Sequence, residues 1–181
     1  MGFDKTTVVV DGTTVVRRTA SLLARLVEWP VEVGPGSSGL PTTREDPAGT
    51  GPLAAVAAGV EHLRRGGYRG GALVVAGDLP FLSSALLEML LSWPSSTSVV
   101  PVVDGRVQPL CARWSSRDLD EAVVRVARGE RSLRHVARGR DATWLRAEQW
   151  STVADLECFV DIDTLEDLAL LGLRAPNGET G

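Results

Sequence analysis

Five consecutive apolar residues, Ala72-Leu73-Val74-Val75-Ala76, run directly into Gly77-Asp78. An unbroken apolar run of this length, rich in Val and without alternation, describes a strand buried on both faces, which occurs where helices cover both sides of a sheet. The flanking segments agree. Pro52 opens an Ala-rich helix over Leu53 to Leu63 that stops at Gly66-Gly67, and Ser83 caps a further helix ending near Trp93-Pro94. Ligands collect beyond the carboxyl ends of strands in open α/β sheets. Asp78, just past such an end, is therefore the first candidate functional residue.

The rest of the chain extends this pattern. Thr7 to Val16 reads as a hairpin around Asp11-Gly12, a pair that tolerates the positive φ of a tight turn. Val15, Val16, Ala20, Leu22, Leu23, Leu26 and Val27 then share one helical face until Trp29-Pro30, and Val31 to Gly34 is a strand. Gly34 to Thr50, rich in Gly, Pro, Ser and Thr, is long enough to be a binding loop, with Asp46 near its end. Ser98 to Val103 and Val107 to Trp114 are strands joined by a turn at Asp104-Gly105. Arg117 to Ala127 and Arg131 to Ala137 are helical, Ala142 to Leu145 is extended, and Cys158 to Ile162 is the last core strand. Thr164 caps a final helix, with Asp167 as the reciprocal acid. The alternation predicts a three-layer α/β/α sandwich with a mostly parallel sheet. Residues 1–174 are expected to form one domain, with 175–181 expected as a disordered tail.

Composition removes several classes. A length of 181 residues supports one full core, and a net charge of −4 argues against nucleic acid or an anionic membrane surface as partner. No apolar run approaches a bilayer span and no basic-then-apolar leader is present, so a cytoplasmic location is expected. Cys111 and Cys158 are expected reduced and buried. His62 and His135 are too isolated for a zinc site. The arginines between Arg125 and Arg140 read as the solvated face of two helices. Val8-Val9-Val10-Asp11-Gly12-Thr13 is similar to the D-x-D-G-T of haloacid-dehalogenase-type phosphatases. The nucleophile position is Val9, so no aspartyl phosphate can form there.

One residue stands out against the cationic composition. Lys5, in Met1-Gly2-Phe3-Asp4-Lys5, is the single lysine among 19 Lys and Arg residues. An ammonium on a flexible stem reaches between phosphate oxygens in a way the planar guanidinium does not. The pentapeptide resembles the second half of the signature L-A-G-G-x-S-x-R-M-G-x-D-K of the molybdenum-cofactor guanylyltransferases, the MobA-like branch of the nucleotidyltransferases. Four further segments resemble that family in the same order: Asp46 to Leu53 (D-x-x-x-x-G-P-L), Val75 to Leu82 (A-C-D-x-P-F-L), Gln108 to Trp114 (P-L-x-A-x-Y) and Phe159 to Leu168 (N-x-N-T-P-E-D-L).

The resemblance, over residues 1 to about 172, implies a Rossmann-like nucleotidyltransferase fold and transfer of GMP from GTP to molybdopterin, with Mg²⁺ as cofactor. It implies Lys5 at the GTP phosphates, Asp46 at the nucleotide, Asp78 on the metal, and Gln108 and Pro109 toward the pterin. Asp161 and Asp163, two apart on the expected last strand, point to one side, and Asp163 is a second candidate metal ligand. Asparagines usually stand at these two positions in the family. The alternative for Asp163 is a helix-start residue before Thr164, and for Asp46 a solvated loop acid. A related CMP-transferring enzyme and a non-catalytic nucleotide-binding module remain as alternatives, the latter because the glycine-rich half of the signature is missing. That gap predicts that Met1 is an internal methionine of a longer product, preceded by an apolar strand and the phosphate loop. In a shortened protein, Thr7 to Val10 would instead fill the central strand position. Proteins that deliver or receive the cofactor are possible partners implied by the same resemblance.

Overall fold

The computed structural model describes residues 8–133 and 141–162. The chain opens with the expected hairpin, β1 (Val9–Val10) and β2 (Thr13–Thr14), paired antiparallel. Asp11 at φ 51° and Gly12 at φ 79° supply the two left-handed residues that the short turn requires. α1 (Val15–Leu26) follows without a break. β3 (Glu32–Val33) then pairs in parallel with β4 (Thr42–Thr43), so the long segment from Gly34 to Thr50 is not wholly a loop. α2 (Pro52–Arg65) carries Pro52 in its first turn, where the missing N–H costs no helical bond.

The principal sheet contains β5 (Ala72–Val75), β6 (Val99–Val103), β7 (Arg106–Val107), β8 (Cys111–Trp114) and β9 (Thr143–Leu145). β8 lies between β5 and β6 and runs antiparallel to both, while β9 joins β6 in parallel. The expectation of a mostly parallel sheet is thus corrected to a mixed one. The cause is local: the Asp104-Gly105 turn reverses the chain with no crossover helix, and a second turn over residues 108–110 interrupts the returning strand without reversing it, so β7 and β8 both run antiparallel to β6. The expected single strand from Val107 to Trp114 is broken at that second turn.

Apolar clusters cover both faces of this sheet. Leu86, Leu87 and Leu90 of α3 (Ser84–Ser92) pack with Leu22 of α1 and with Val99, Cys111 and Leu145. Leu53, Val56 and Val60 of α2 and Leu119 and Ala122 of α4 (Ser116–Ala127) pack with Val100, Ala112 and Trp114. Neighbours such as Val99 and Val100, or Cys111 and Ala112, divide between the clusters, as the two-residue period of a strand demands. Each fully buried leucine contributes roughly 1.5–3 kcal/mol relative to exposure. The Ser83 hydroxyl caps α3 by accepting from the Leu86 N–H at 3.2 Å.

Three expectations fail. Ala72–Val75 is half-buried rather than enclosed, because among the described residues only β8 pairs with it and its other edge borders a cavity. Cys158 to Ile162 is not a strand: Leu156–Phe159 forms a 3₁₀ turn whose backbone donors find local acceptors, and Leu156 and Val160 stay exposed. Val9–Val10 pairs within its hairpin and does not occupy the middle of the sheet. A one-turn helix at Ala147–Trp150 carried no sequence signal. The expected helices over 131–137 and after Thr164 fall largely or wholly outside the described residues. Among the described residues, no helix is long and apolar enough to cross a membrane.

Candidate active site

β5 stops at Val75 and the chain passes through Gly77 and Asp78 before entering α3, which puts the Asp78 carboxylate at the strand's carboxyl end. Three other segments meet it there. The Ala76 N–H donates to the Leu110 carbonyl at 2.7 Å, tying the turn of residues 108–110 to the end of β5. The Ile162 N–H donates to the Asp78 carbonyl at 3.3 Å, which brings the exposed Asp161 alongside. Ile162 itself is held from behind by Val8, Val10 and Val15, so the N-terminal hairpin buttresses this junction.

The loop after β3 forms the remaining wall. Both Glu32 carboxylate oxygens are engaged, accepting from the backbone N–H groups of Gly36 at 2.7 Å, Ser37 at 3.1 Å and Ser38 at 2.8 Å. Burial pushes this carboxyl upward, but hydrogen bonds from the side chain and backbone of Ser38 and the backbone of Gly36 and Ser37 outweigh it. The net pKa lies below the ordinary glutamate value. The loop closes a cavity of about 310 Å³ lined by Val16, Thr19, Ala20, Pro35, Ser38 and Asp78 among others. Glu32 was not singled out from sequence. Its signal was an acid preceding Gly34-Pro35-Gly36-Ser37-Ser38, a stretch able to turn successive N–H groups inward.

The other expected residues distribute unevenly. Asp46 is exposed between β4 and α2 and does not line the Asp78 cavity. Gln108 and Pro109 sit at the same end of the sheet, with their backbones committed to structure. The Gln108 N–H donates to the Pro101 carbonyl at 2.9 Å, and the Pro109 carbonyl accepts from the buried Trp114 indole at 2.9 Å. Lys5 and Asp163 lie outside the described residues. Among the described residues, no three His, Cys, Asp or Glu side chains cluster closely enough to hold a metal. Asp78, and Asp161 on the adjoining segment, carry carboxylate oxygens, the donor type that a hard cation takes.

With strand end, carboxylate and turn in this arrangement, the comparison with known proteins decides the family. The MobA-like NTP transferase domain matches residues 1–147. The chain belongs to that family. It is similar to a probable molybdenum cofactor guanylyltransferase of Bacillus mycoides (strain KBAB4), with 26% identity over 121 residues, 66% of this chain and 58% of the relative. A protein of the same description from Bacillus cytotoxicus shares 24% over 125 residues, 68% of this chain and 60% of its own length. The matched part of the chain therefore spans under two thirds of these relatives. Among solved structures, the fold resembles molybdopterin-guanine dinucleotide biosynthesis protein A from Archaeoglobus fulgidus, with a TM-score of 0.74 at 20% identity over 93% of this chain and 89% of that one. A putative protein from Aquifex aeolicus VF5 gives a TM-score of 0.65 at 11% identity, covering 83% and 79% of the two chains.

Proposed function

We propose that this MobA-like chain transfers GMP from GTP to the phosphate of molybdopterin, releasing pyrophosphate. The observation that carries this reading is the Asp78 carboxylate at the carboxyl end of β5, beside a cavity and adjacent to the Asp161 segment. Membership of the MobA-like family and the helix clusters on both sheet faces support a three-layer nucleotidyltransferase architecture around it.

In this reading a pterin phosphate oxygen attacks the α-phosphorus of GTP, the bond from that phosphorus to the bridging oxygen breaks, and pyrophosphate leaves. No covalent enzyme intermediate is required. Mg²⁺ held by Asp78 and Asp163 would offset the charge that builds on the α-phosphate and the departing pyrophosphate. The Lys5 ammonium neutralises phosphate oxygens, the Asp46 carboxylate accepts from ribose or base donors, and Gln108 and Pro109 bound the pterin side. Glu32 fixes the loop that closes the cavity, so its contribution is positional. The deciding experiment measures pyrophosphate release from GTP with molybdopterin present, and repeats it with CTP. Release that requires the pterin and prefers GTP is expected. Nucleotide binding without release would make the chain a binding module, and a preference for CTP would reassign the base.

A further inference from the structure

The loop after β3 has the form of an anion receptor, and the chain's own carboxylate fills it. Gly36, at φ 87°, supplies the left-handed residue that lets successive N–H groups turn to one side, as in a nest for negative charge. The N–H groups of Gly36, Ser37 and Ser38 converge on the Glu32 carboxylate at 2.7, 3.1 and 2.8 Å. Cations hold the carbonyl side of the same loop. The Arg44 Nε–H donates to the Gly34 carbonyl at 2.8 Å, and the Arg17 Nε–H donates to the Ser37 carbonyl at 3.4 Å. Without Glu32 the loop would combine three convergent N–H donors with two flanking guanidiniums, which is the donor set of a phosphate site.

The position of this nest gives it consequence. Glu32, Ser38 and Asp78 line one cavity of about 310 Å³. In the function proposed above, the GTP phosphates belong beside Asp78. A second phosphate receptor in the same cavity would take the triphosphate in a wrong register, with the α-phosphorus away from the Asp78 carboxylate. Glu32 opposes that mode twice over: its oxygens occupy the donors, and its charge repels an approaching phosphate. Its pKa, below the ordinary glutamate value because of the hydrogen bonds it accepts, keeps that charge in place at neutral pH. The β3 side of the lining is otherwise apolar, with Val31, Val33, Pro35 and Leu40, and suits an uncharged part of a nucleotide.

We infer that Glu32 is a specificity-determining residue: it fills the nest of residues 36–38 as a built-in anion, bars phosphate from the β3 side of the cavity, and so fixes which end of the nucleotide faces Asp78. Specificity is gained here by making the wrong mode unfavourable. The orienting role rests on the reading of the chain as a nucleotidyltransferase, and the occupied nest does not.

The test compares the 181-residue chain with Glu32→Ala and Glu32→Gln in thermal melts with inorganic phosphate, acetate or chloride at matched pH and ionic strength. Glu32→Ala opens the nest. Phosphate, and acetate standing in for the lost carboxylate, should each raise its melting temperature over chloride by roughly 3–6 °C more than in the parent, at about ten times Kd. Glu32→Gln, whose amide still fills the space, should show no such gain. If Glu32→Ala melts without cooperativity in chloride, acetate should restore a cooperative melt. No anion-specific gain in Glu32→Ala, or an equal gain in the parent, would overturn the inference. Turnover then reads the orienting role. In Glu32→Ala the KM for GTP should rise about tenfold and pyrophosphate should inhibit at a correspondingly lower concentration, while Glu32→Gln keeps most of the parent's KM. An active Glu32→Ala protein with both values unchanged would refute that role. A parent that releases no pyrophosphate from GTP would remove the proposed function and the orienting role with it, and the anion melts would still decide the nest.

Discussion

Replacing Arg113 with methionine removes a guanidinium that holds the end of α3 in place and leaves the apolar stem. Arg113 donates to the carbonyls of Leu91 at 3.1 Å, Trp93 at 3.1 Å, Ser95, and Thr97 at 3.3 Å. Burial lowers its pKa from the ordinary arginine value, which remains far too high for deprotonation at neutral pH. Hydrogen bonds to a charged group are each worth about 1.5–3 kcal/mol. Residues 95–97 border an open cavity of about 560 Å³, so water can replace part of what is lost there. Counting the two bonds at the helix end gives an expected loss of about 3 kcal/mol. For a domain of this size that is roughly 6–12 °C in melting temperature. Arg113→Lys, which keeps the charge but cannot fork to several carbonyls, should fall between the two. The described acceptors are neutral, so the difference should persist in 1 M salt, where a surface ion pair would be screened. Urea unfolding would read it as a lower midpoint at constant slope. An Arg113→Met protein melting within 2 °C of the parent would refute the reasoning.

Asp78→Asn should reduce Mg²⁺-dependent pyrophosphate release by about a hundredfold or more, and Asp46→Asn by clearly less, because only the first disturbs charge at the reacting centre; equal losses in steady-state rates would remove that distinction. The Cys111 thiol is pushed up to about 12 by burial and by the neighbouring Cys158. It should resist a thiol reagent at pH 8 until the protein unfolds. Because the folded value is the higher one, its contribution to stability is complete below the unfolded value near 9 and is lost as pH rises from 9 toward 12, which an alkaline series of melts would show. Glu32 has the opposite sign. Its folded pKa is lowered, so its contribution is present above 4.5 and falls away as pH drops through the folded value, and Glu32→Gln should flatten that part of the acid unfolding curve.

The helices were legible because each carried its own punctuation: Pro52 and Gly66-Gly67 around α2, Ser83 and Trp93-Pro94 around α3. The hairpin turns were legible for the same reason, since Asp11-Gly12 and Asp104-Gly105 each accept two positive φ angles. Strand partnership was not. Nothing local to Cys111–Trp114 states that it inserts between β5 and β6, because that choice is made by packing of two faces over sequence-distant neighbours. The apolar run at 72–76 looked enclosed because periodicity reports side chains and is silent about which backbone edge finds a partner. At the site, Asp78 was identified by its place after a strand, whereas Glu32 acts through backbone N–H groups that no side-chain motif encodes.

The placement of β8 also sets an order of events during synthesis. Among the described residues, β5 pairs only with a strand made roughly 40 residues later, Ala72 with Trp114 and Val75 with Cys111. At about 5–20 residues per second, the ribosome leaves that apolar segment without its sheet partner for roughly 2–8 s. During that interval α2 and the first turns of α3 can form locally, but the segment between them has nowhere to bury. A holding chaperone, or a pause before the codons for 111–114, would act on this interval. Substitutions that slow the Gln108–Leu110 turn should therefore lower the yield of folded protein from cells before they lower its stability once folded.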